Sequence, residues 1–393
     1  MKKYSLSSNT WDSKEYIAIQ RVIDSNLFTM GKEVSSFESK FAKFFGSKFC
    51  VMVNSGSSAN LLMIASLFFT KIKNRKLKKG DEVIVPAVSW STTYFPLQQY
   101  GIKLVFVDIN KETLNFDIPQ LEKAISKKTK AILAVNLLGN PNDFISLKKI
   151  CKENGLTLLE DNCESMGAKY GDKYTGSFGL MGTFSSFFSH HISTMEGGYI
   201  VTDDEEIYHI LLSLRAHGWT RNLPNKNRVT GRKSNKDFLE SFNFVLPGYN
   251  LRPLEISAAI GKEQLKKFPY FLKTRRKNAK YFEKLFGQEQ NLLIQKEVEK
   301  SSWFGFSIIL QNKNISRNKL VSYLERNGVE CRPIVSGNFT KFKKVLKYFD
   351  YRISGELKNS DYIDKKGFFV GNHHFSIEKN ISNLKNLFES FKA

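Results

Sequence analysis

The chain has 393 residues, 41% of them hydrophobic and 25% charged, which is room for two domains around a substantial core. Sixty Lys and Arg against 38 acidic residues give a formal charge of +22. The apolar run "LLMIASLFF" (61–69) is about half a bilayer span, and the start "MKKYSLSSNTWDSKEY" has no apolar signal region, so a membrane-spanning or secreted chain is set aside and a cytoplasmic one expected.

From residue 32 onward, helical and strand patterns alternate. "KEVSSFESKFAKFFG" puts Phe37, Phe41 and Phe44 or Phe45 on one helical face. "KFCVMVNS" reads as a strand, with a helix from Ser57. "DEVIVPA", "IKLVFVDI", "KAILAVNLL" and "LTLLED" are short buried strands separated by helix-length segments. This is the pattern of an α/β fold, a mostly parallel sheet covered by helices, with functional residues expected at the carboxyl ends of its strands. After "LPGYNLRP" (246–253) come Lys- and Phe-rich helices, then "SSWFGFSIIL", "RNKLVSYLERNG", "VECRPIV" and a final amphipathic helix "EKNISNLKNLFESFK". The expected division is a large α/β domain over 1–265 and a small α+β domain over 266–393.

The basic residues are spread, with clusters at 71–79, 224–236, 274–280 and 341–347, and no helix-turn-helix, zinc-finger or stacking motif accompanies them. They read as a solvated surface that steers anionic ligands, with no nucleic-acid partner. Cys50, Cys151, Cys163 and Cys331 lie far apart without a CxxC, which suits neither a disulfide framework nor a zinc site nor an iron–sulfur cluster. Reduced thiols are expected.

Four constellations fall at strand ends. In "NSGSSAN" (54–60), Gly56 allows close approach and Ser57 offers donors at a helix N-terminus, a phosphate seat that a plain serine cap explains as well. In "LLEDNCESMGA" (158–168), Asp161 can hold a heteroaromatic nitrogen protonated, or simply cap a helix. Trp90 in "VPAVSWSTTY" is at the height to cover a flat ring, or to be core. In "FSSFFSHHISTMEGG" (184–198), Ser185 lies five residues before His190, so a hydroxyl for a phosphate and an imidazole for a reactive edge come together. A phosphate seat, a ring-nitrogen partner, a ring cover and a base are the parts that pyridoxal phosphate requires. Adjacent histidines lack the i, i+4 spacing of paired metal ligands, so no metal is expected.

At these motifs, and at "PGYNLRPLEISAAIGKEQL", the chain resembles the DegT/DnrJ/EryC1/StrS group of pyridoxal-phosphate sugar aminotransferases over most of its length. The resemblance implies the aspartate aminotransferase-type fold (fold type I). In that group a lysine stands six residues before the glutamate of the Glu-Gly-Gly turn. Here that position, counted from Glu196, is His190. A primary amine forms the covalent tether to the cofactor; imidazole cannot, but it moves protons near neutral pH. The exchange is similar to that in the nucleotide-sugar 3-dehydratases of the group, and the missing cysteine cluster points to the GDP-sugar arm without iron–sulfur chemistry.

What the resemblance implies is a cofactor held untethered, as pyridoxal or pyridoxamine phosphate. L-glutamate is the implied amino donor, leaving as 2-oxoglutarate. GDP-4-keto-6-deoxy-D-mannose would lose its C3 hydroxyl, ammonia would be released, and the product would lead to colitose. His190 would be the base. His217 in "RAHGWTRN" is a second proton carrier or substrate contact, and His191 a structural neighbour. Glu164 falls near the ring's phenolic oxygen. Asn250 in "GYNLR" matches a residue lent across a dimer interface to the phosphate, which implies a homodimer with shared sites; Arg252 organises that segment. Glu330, Arg332 and, in "GNHH", His374 are substrate candidates. Competing readings are an aminotransferase that recruits another lysine and a non-catalytic basic DNA-binding relative.

Overall fold

The computed structural model describes residues 3–391. Helix α1 (Ser13–Ser25) starts in a capping box: Asp12 accepts from the Lys14 N–H while Glu15 accepts from the Asp12 N–H. Helix α2 (Lys32–Phe45) buries Phe37, Phe41 and Phe45, the expected stripe, and leaves Phe44 partly covered. Its N-cap, Gly31, has no side chain to offer. Instead Glu255 takes the Gly31, Glu33 and Val34 N–H groups at 2.8, 2.8 and 2.9 Å. That carboxylate fills the role of a cap from a distant segment.

Seven strands follow: β1 (Phe49–Val53), β2 (Glu82–Pro86), β3 (Lys103–Val107), β4 (Thr129–Val135), β5 (Thr157–Asp161), β6 (Met181–Ser185) and β7 (Gly198–Thr202). The C-terminal region adds β8 (Leu292–Ile294), β9 (Gly305–Leu310), β10 (Tyr351–Ile353) and β11 (Gly367–Gly371). The large sheet runs β1-β7-β6-β5-β4-β2-β3-β10, parallel except for β7, which is antiparallel to both neighbours. Helices α3 (Gly56–Phe69) and α4 (Ser91–Gln99) open directly after β1 and a short turn past β2. Alternation sorts the two faces: Val83 and Val85 join the apolar cluster under α3, while Ile84 joins the one with Phe144 and Leu158.

A second sheet, β8-β9-β11, is antiparallel and packs Phe306, Ile308 and Phe368 with Phe282 and Leu384. One long helix, Glu255–Phe286, runs straight through the division expected at residue 265. The C-terminal region also reaches back into the large sheet, where Tyr351, Arg352 and Ile353 of β10 pair with Leu104, Val105 and Phe106 of β3. Arg352 fastens this return with two bonds to the Glu82 carboxylate at 2.9 and 2.7 Å. "VECRPIV" contributes two isolated bridges, Val329 with Tyr4 and Arg332 with Phe369, rather than a strand.

Candidate active site

The carboxyl ends of β1, β5 and β6 and the turn after β2 converge on one cavity of about 510 Å³. At the end of β1 it is Ser55, not Ser57, that caps α3, accepting the Ser58 N–H at 3.1 Å. The first N–H groups of a helix have no internal partner, so those of Gly56 and Ser57 are free at the cavity wall. Ser57 points its hydroxyl to Thr92 at 3.0 Å. Gly56 is required here: a Cβ would meet that of Ser185 at 2.6 Å. Ser185, buried at the end of β6, accepts from the Phe187 N–H at 3.2 Å. A helix N-terminus flanked by two hydroxyls is an anion site.

Asp161 ends β5, is 4% exposed, and caps no helix. Asn60 and Thr93 both donate to its Oδ2 at 2.8 Å, and the Cys163 N–H donates to Oδ1 at 3.1 Å. These neutral donors orient the carboxylate without cancelling its charge. Beside it, Glu164 accepts from the Leu138 N–H at 3.0 Å; burial, reinforced by the negative Asp161, pushes its carboxyl up to about 7. Trp90 at the start of α4 is 58% exposed, so it is a cavity wall and not core.

His190 also lines the cavity, its ring 5.2 Å from that of Phe304. Its Nδ1 is sealed off without a hydrogen-bond partner, which leaves Nε2 as the open nitrogen. Burial, then the positive Arg275, push its pKa down to about 4. The imidazole is therefore neutral at pH 7, the form that accepts a proton. His191 is fully buried and lies 3.2 Å from the Ser302 carbonyl, to which its Nε2–H donates. That is the structural role expected of it. Among the described residues no lysine lines the cavity.

Of the substrate candidates, Arg332 reaches the cavity and Glu330 does not: its carboxylate accepts the Leu6 N–H at 2.9 Å. His374 packs on Phe271 and Phe375 away from the cavity. His217 and Asn250 share another place, a bridge of Ala216 with Asn250, where the His217 N–H donates to Tyr249 O at 2.6 Å and its ring meets Trp219. Asn250 is exposed there and accepts from Arg252 at 3.0 Å. Neither lines the cavity within this chain.

Sequence reasoning missed several walls. Asn60 and Thr93, the donors to Asp161, lie inside the quoted motifs, one helical turn beyond Gly56 and Trp90, and that spacing was the available signal. Leu6, Ser7, Phe304 and Phe369 come from remote segments that carry no motif. Among the described residues no group of His, Cys, Asp or Glu is arranged to hold a metal, and no helix is long and apolar enough to cross a membrane.

Comparison with known proteins follows the same lines. The chain is 62% identical to the GDP-4-keto-6-deoxy-D-mannose 3-dehydratase of Yersinia pseudotuberculosis, over 98% of each chain. It superposes with a TM-score of 0.96 on the Escherichia coli GDP-4-keto-6-deoxy-D-mannose-3-dehydratase with bound hydrated PLP, at 61% identity over 98% of this chain and 99% of that one. A structure of a GDP-4-keto-6-deoxymannose-3-dehydratase with a trapped PLP-glutamate geminal diamine gives the same TM-score, identity and coverage. The model of the DegT/DnrJ/EryC1/StrS aminotransferase family matches residues 9–378, a span that holds Gly56, Asp161 and His190. With its fold and nearly all of its length in common with these proteins, the chain belongs to the DegT/DnrJ/EryC1/StrS aminotransferase family.

Proposed function

We propose that the protein is a pyridoxamine/pyridoxal-phosphate-dependent 3-dehydratase of GDP-4-keto-6-deoxy-D-mannose, with L-glutamate as amino donor. The observation that carries the reading is the cavity lined by His190 and by no lysine. The residues present fit the cofactor. The free N–H groups of Gly56 and Ser57 with the Ser185 hydroxyl suit a phosphate, and Gly56 clears the approach. Asp161 would hold a ring nitrogen and favour its protonated form, and Trp90 would cover a ring. When bound, the cofactor supplies an amine that condenses with a carbonyl and a ring that takes up electrons.

The chain's own groups do the rest. His190 Nε2, open to the cavity, would carry the proton taken from the amino-bearing carbon and, once protonated, would return it to the departing C3 hydroxyl. Glu164 would hold the phenolic oxygen of the cofactor, and Arg332 the substrate's phosphates. Without a lysine there is no primary amine to reprotonate sugar carbon 4, so elimination prevails over amination. Exposed Asn250 and half-buried His217 sit on two bridged segments outside this chain's cavity, which supports a homodimer in which each copy lends those segments to the other's site. Four free cysteines suit a reducing cytoplasm.

The test is incubation of the purified protein with pyridoxal phosphate, glutamate and the GDP-linked 4-keto sugar. Ammonia, 2-oxoglutarate and a sugar lighter by one oxygen are expected, and borohydride should leave no cofactor on the protein. An amino sugar, or a reduced lysine adduct, would overturn the reading in favour of an aminotransferase.

A further inference from the structure

The outer wall of the cavity is made by the beginning of the chain. Leu6 and Ser7 line it beside Arg332, Phe369, Phe304 and His190. They are laid there by a strap, residues 4–8, whose ties to the rest of the protein all run to residues 328–373. The Tyr4 N–H donates to Gly328 O at 2.8 Å, its carbonyl accepts from the Glu330 N–H at 2.9 Å, and its hydroxyl donates to Gly371 O at 2.7 Å. His373 holds the strap at two points: Nε2–H donates to Ser5 O at 2.9 Å, which leaves Nδ1 to accept the Ser8 hydroxyl at 2.8 Å. Gly371 permits the contact, since a Cβ there would meet Ser5 O at 2.4 Å. Glu330 completes it by accepting the Leu6 N–H at 2.9 Å, between the two wall residues' own backbone and the segment that carries Arg332.

A cofactor seated between the α3 N-terminus and Asp161 fills the inner cavity. The space left between His190 and the mouth is then bounded by an apolar side chain, a hydroxyl and a guanidinium. Those three groups match a deoxy sugar with a methyl group, its remaining hydroxyls and the diphosphate attached to it. We propose that Leu6 and Ser7 contact the nucleotide sugar and set its affinity, and that Glu330 is the positioning residue that latches them in place. This rests on the dehydratase function proposed above. The strap accordingly belongs to substrate binding and not to cofactor retention.

The test uses the full chain as Leu6→Arg, Glu330→Ala and Glu330→Gln, each checked for an unchanged melting temperature and for cofactor retained through gel filtration. Leu6→Arg and Glu330→Ala are expected to raise the KM for GDP-4-keto-6-deoxy-D-mannose about tenfold with kcat held within about twofold, the signature of lost ground-state binding. Glu330→Gln keeps an oxygen for the Leu6 N–H and is expected to stay within about twofold of the parent in KM. An unmoved KM in Leu6→Arg, a cofactor lost in step with KM, or a glutamine variant as impaired as the alanine one overturns the assignment while leaving the dehydratase reading intact. A parent protein that forms no deoxysugar overturns both.

Discussion

His190 and His191 share a backbone turn and the nearby buried charge of Arg275, yet only His190 keeps a nitrogen open to the cavity. His191 has spent its Nε2–H on the Ser302 carbonyl. The difference is that one ring faces the cavity and the other is bonded inside the fold; on the function proposed here, that makes His190 the proton carrier and His191 a packing residue. His190→Lys is expected to restore a covalent cofactor link visible as a borohydride-stable mass increase, and to lower dehydration by about 10²-fold or more. Mass spectrometry of the reduced protein and ammonia release check the two parts. This position was legible in the sequence because its neighbours in space are its neighbours in the chain: the turn, Ser185 and Glu196 occupy one short string. The cavity positions of Asp161, Gly56 and Trp90 were legible for the same reason, the first ending a strand and the other two opening the helices that follow β1 and β2. Leu6, Phe304 and Phe369 were not, because nothing local marks an apolar residue as a cavity wall when strap and strand meet only in the folded chain. Glu330 stands two residues from Arg332, a spacing that puts both on one face of an extended segment, so nothing local showed that its carboxylate is taken up by the Leu6 N–H while Arg332 alone reaches the cavity.

Among the elements, α2 shows how one residue can serve two helices. Glu255 opens the long helix and its carboxylate receives three N–H groups at the start of α2. The residue is only 3% exposed, so no water replaces a lost partner. Glu255→Ala is expected to destabilise the fold by about 2–3 kcal/mol, since three N–H groups, that of Val34 buried, lose their acceptor at once. Urea unfolding measures it, and Glu255→Gln, with an acceptor but no charge, should fall between. The helix periodicity of "KEVSSFESKFAKFFG" announced α2's buried face, whereas its cap could not be read from the sequence, lying more than 200 residues away. The change of character read after 246–253 coincides with the start of the long helix at Glu255, and residue 265 lies inside that helix.

For the molecule as a whole, Arg275 is a buried cation without a carboxylate partner among the described residues, bonded instead to the Trp303 and Phe304 carbonyls at 3.4 and 3.2 Å. Around it, burial first and then this charge hold His190, His373 and His374 down at about 4, and push His191 well below the usual imidazole range. Unfolded histidines titrate near 6.5, so the unfolded chain binds protons first as pH falls. The stability these groups contribute is whole above pH 6.5 and is lost as pH drops toward 4. Thermal melts are expected to fall by about 10 °C between pH 7 and 4.5, beyond what surface groups produce, and His374→Phe should make that fall shallower. A flat profile through this window would mean that these rings are protonated in the fold. The surplus of positive charge recorded in the composition is a different matter: it is dispersed, and an anionic substrate feels it as attraction from every side.

The three residues of β10 have a consequence out of proportion to their length. Because Tyr351–Ile353 is the outermost rung of a sheet begun some 300 residues earlier, that sheet is not finished when the ribosome has made its first seven strands. Until β10 follows, β3 stands with a bare row of amides and carbonyls, and Glu82 waits for its guanidinium. These three residues are thus less an appendage than a keystone.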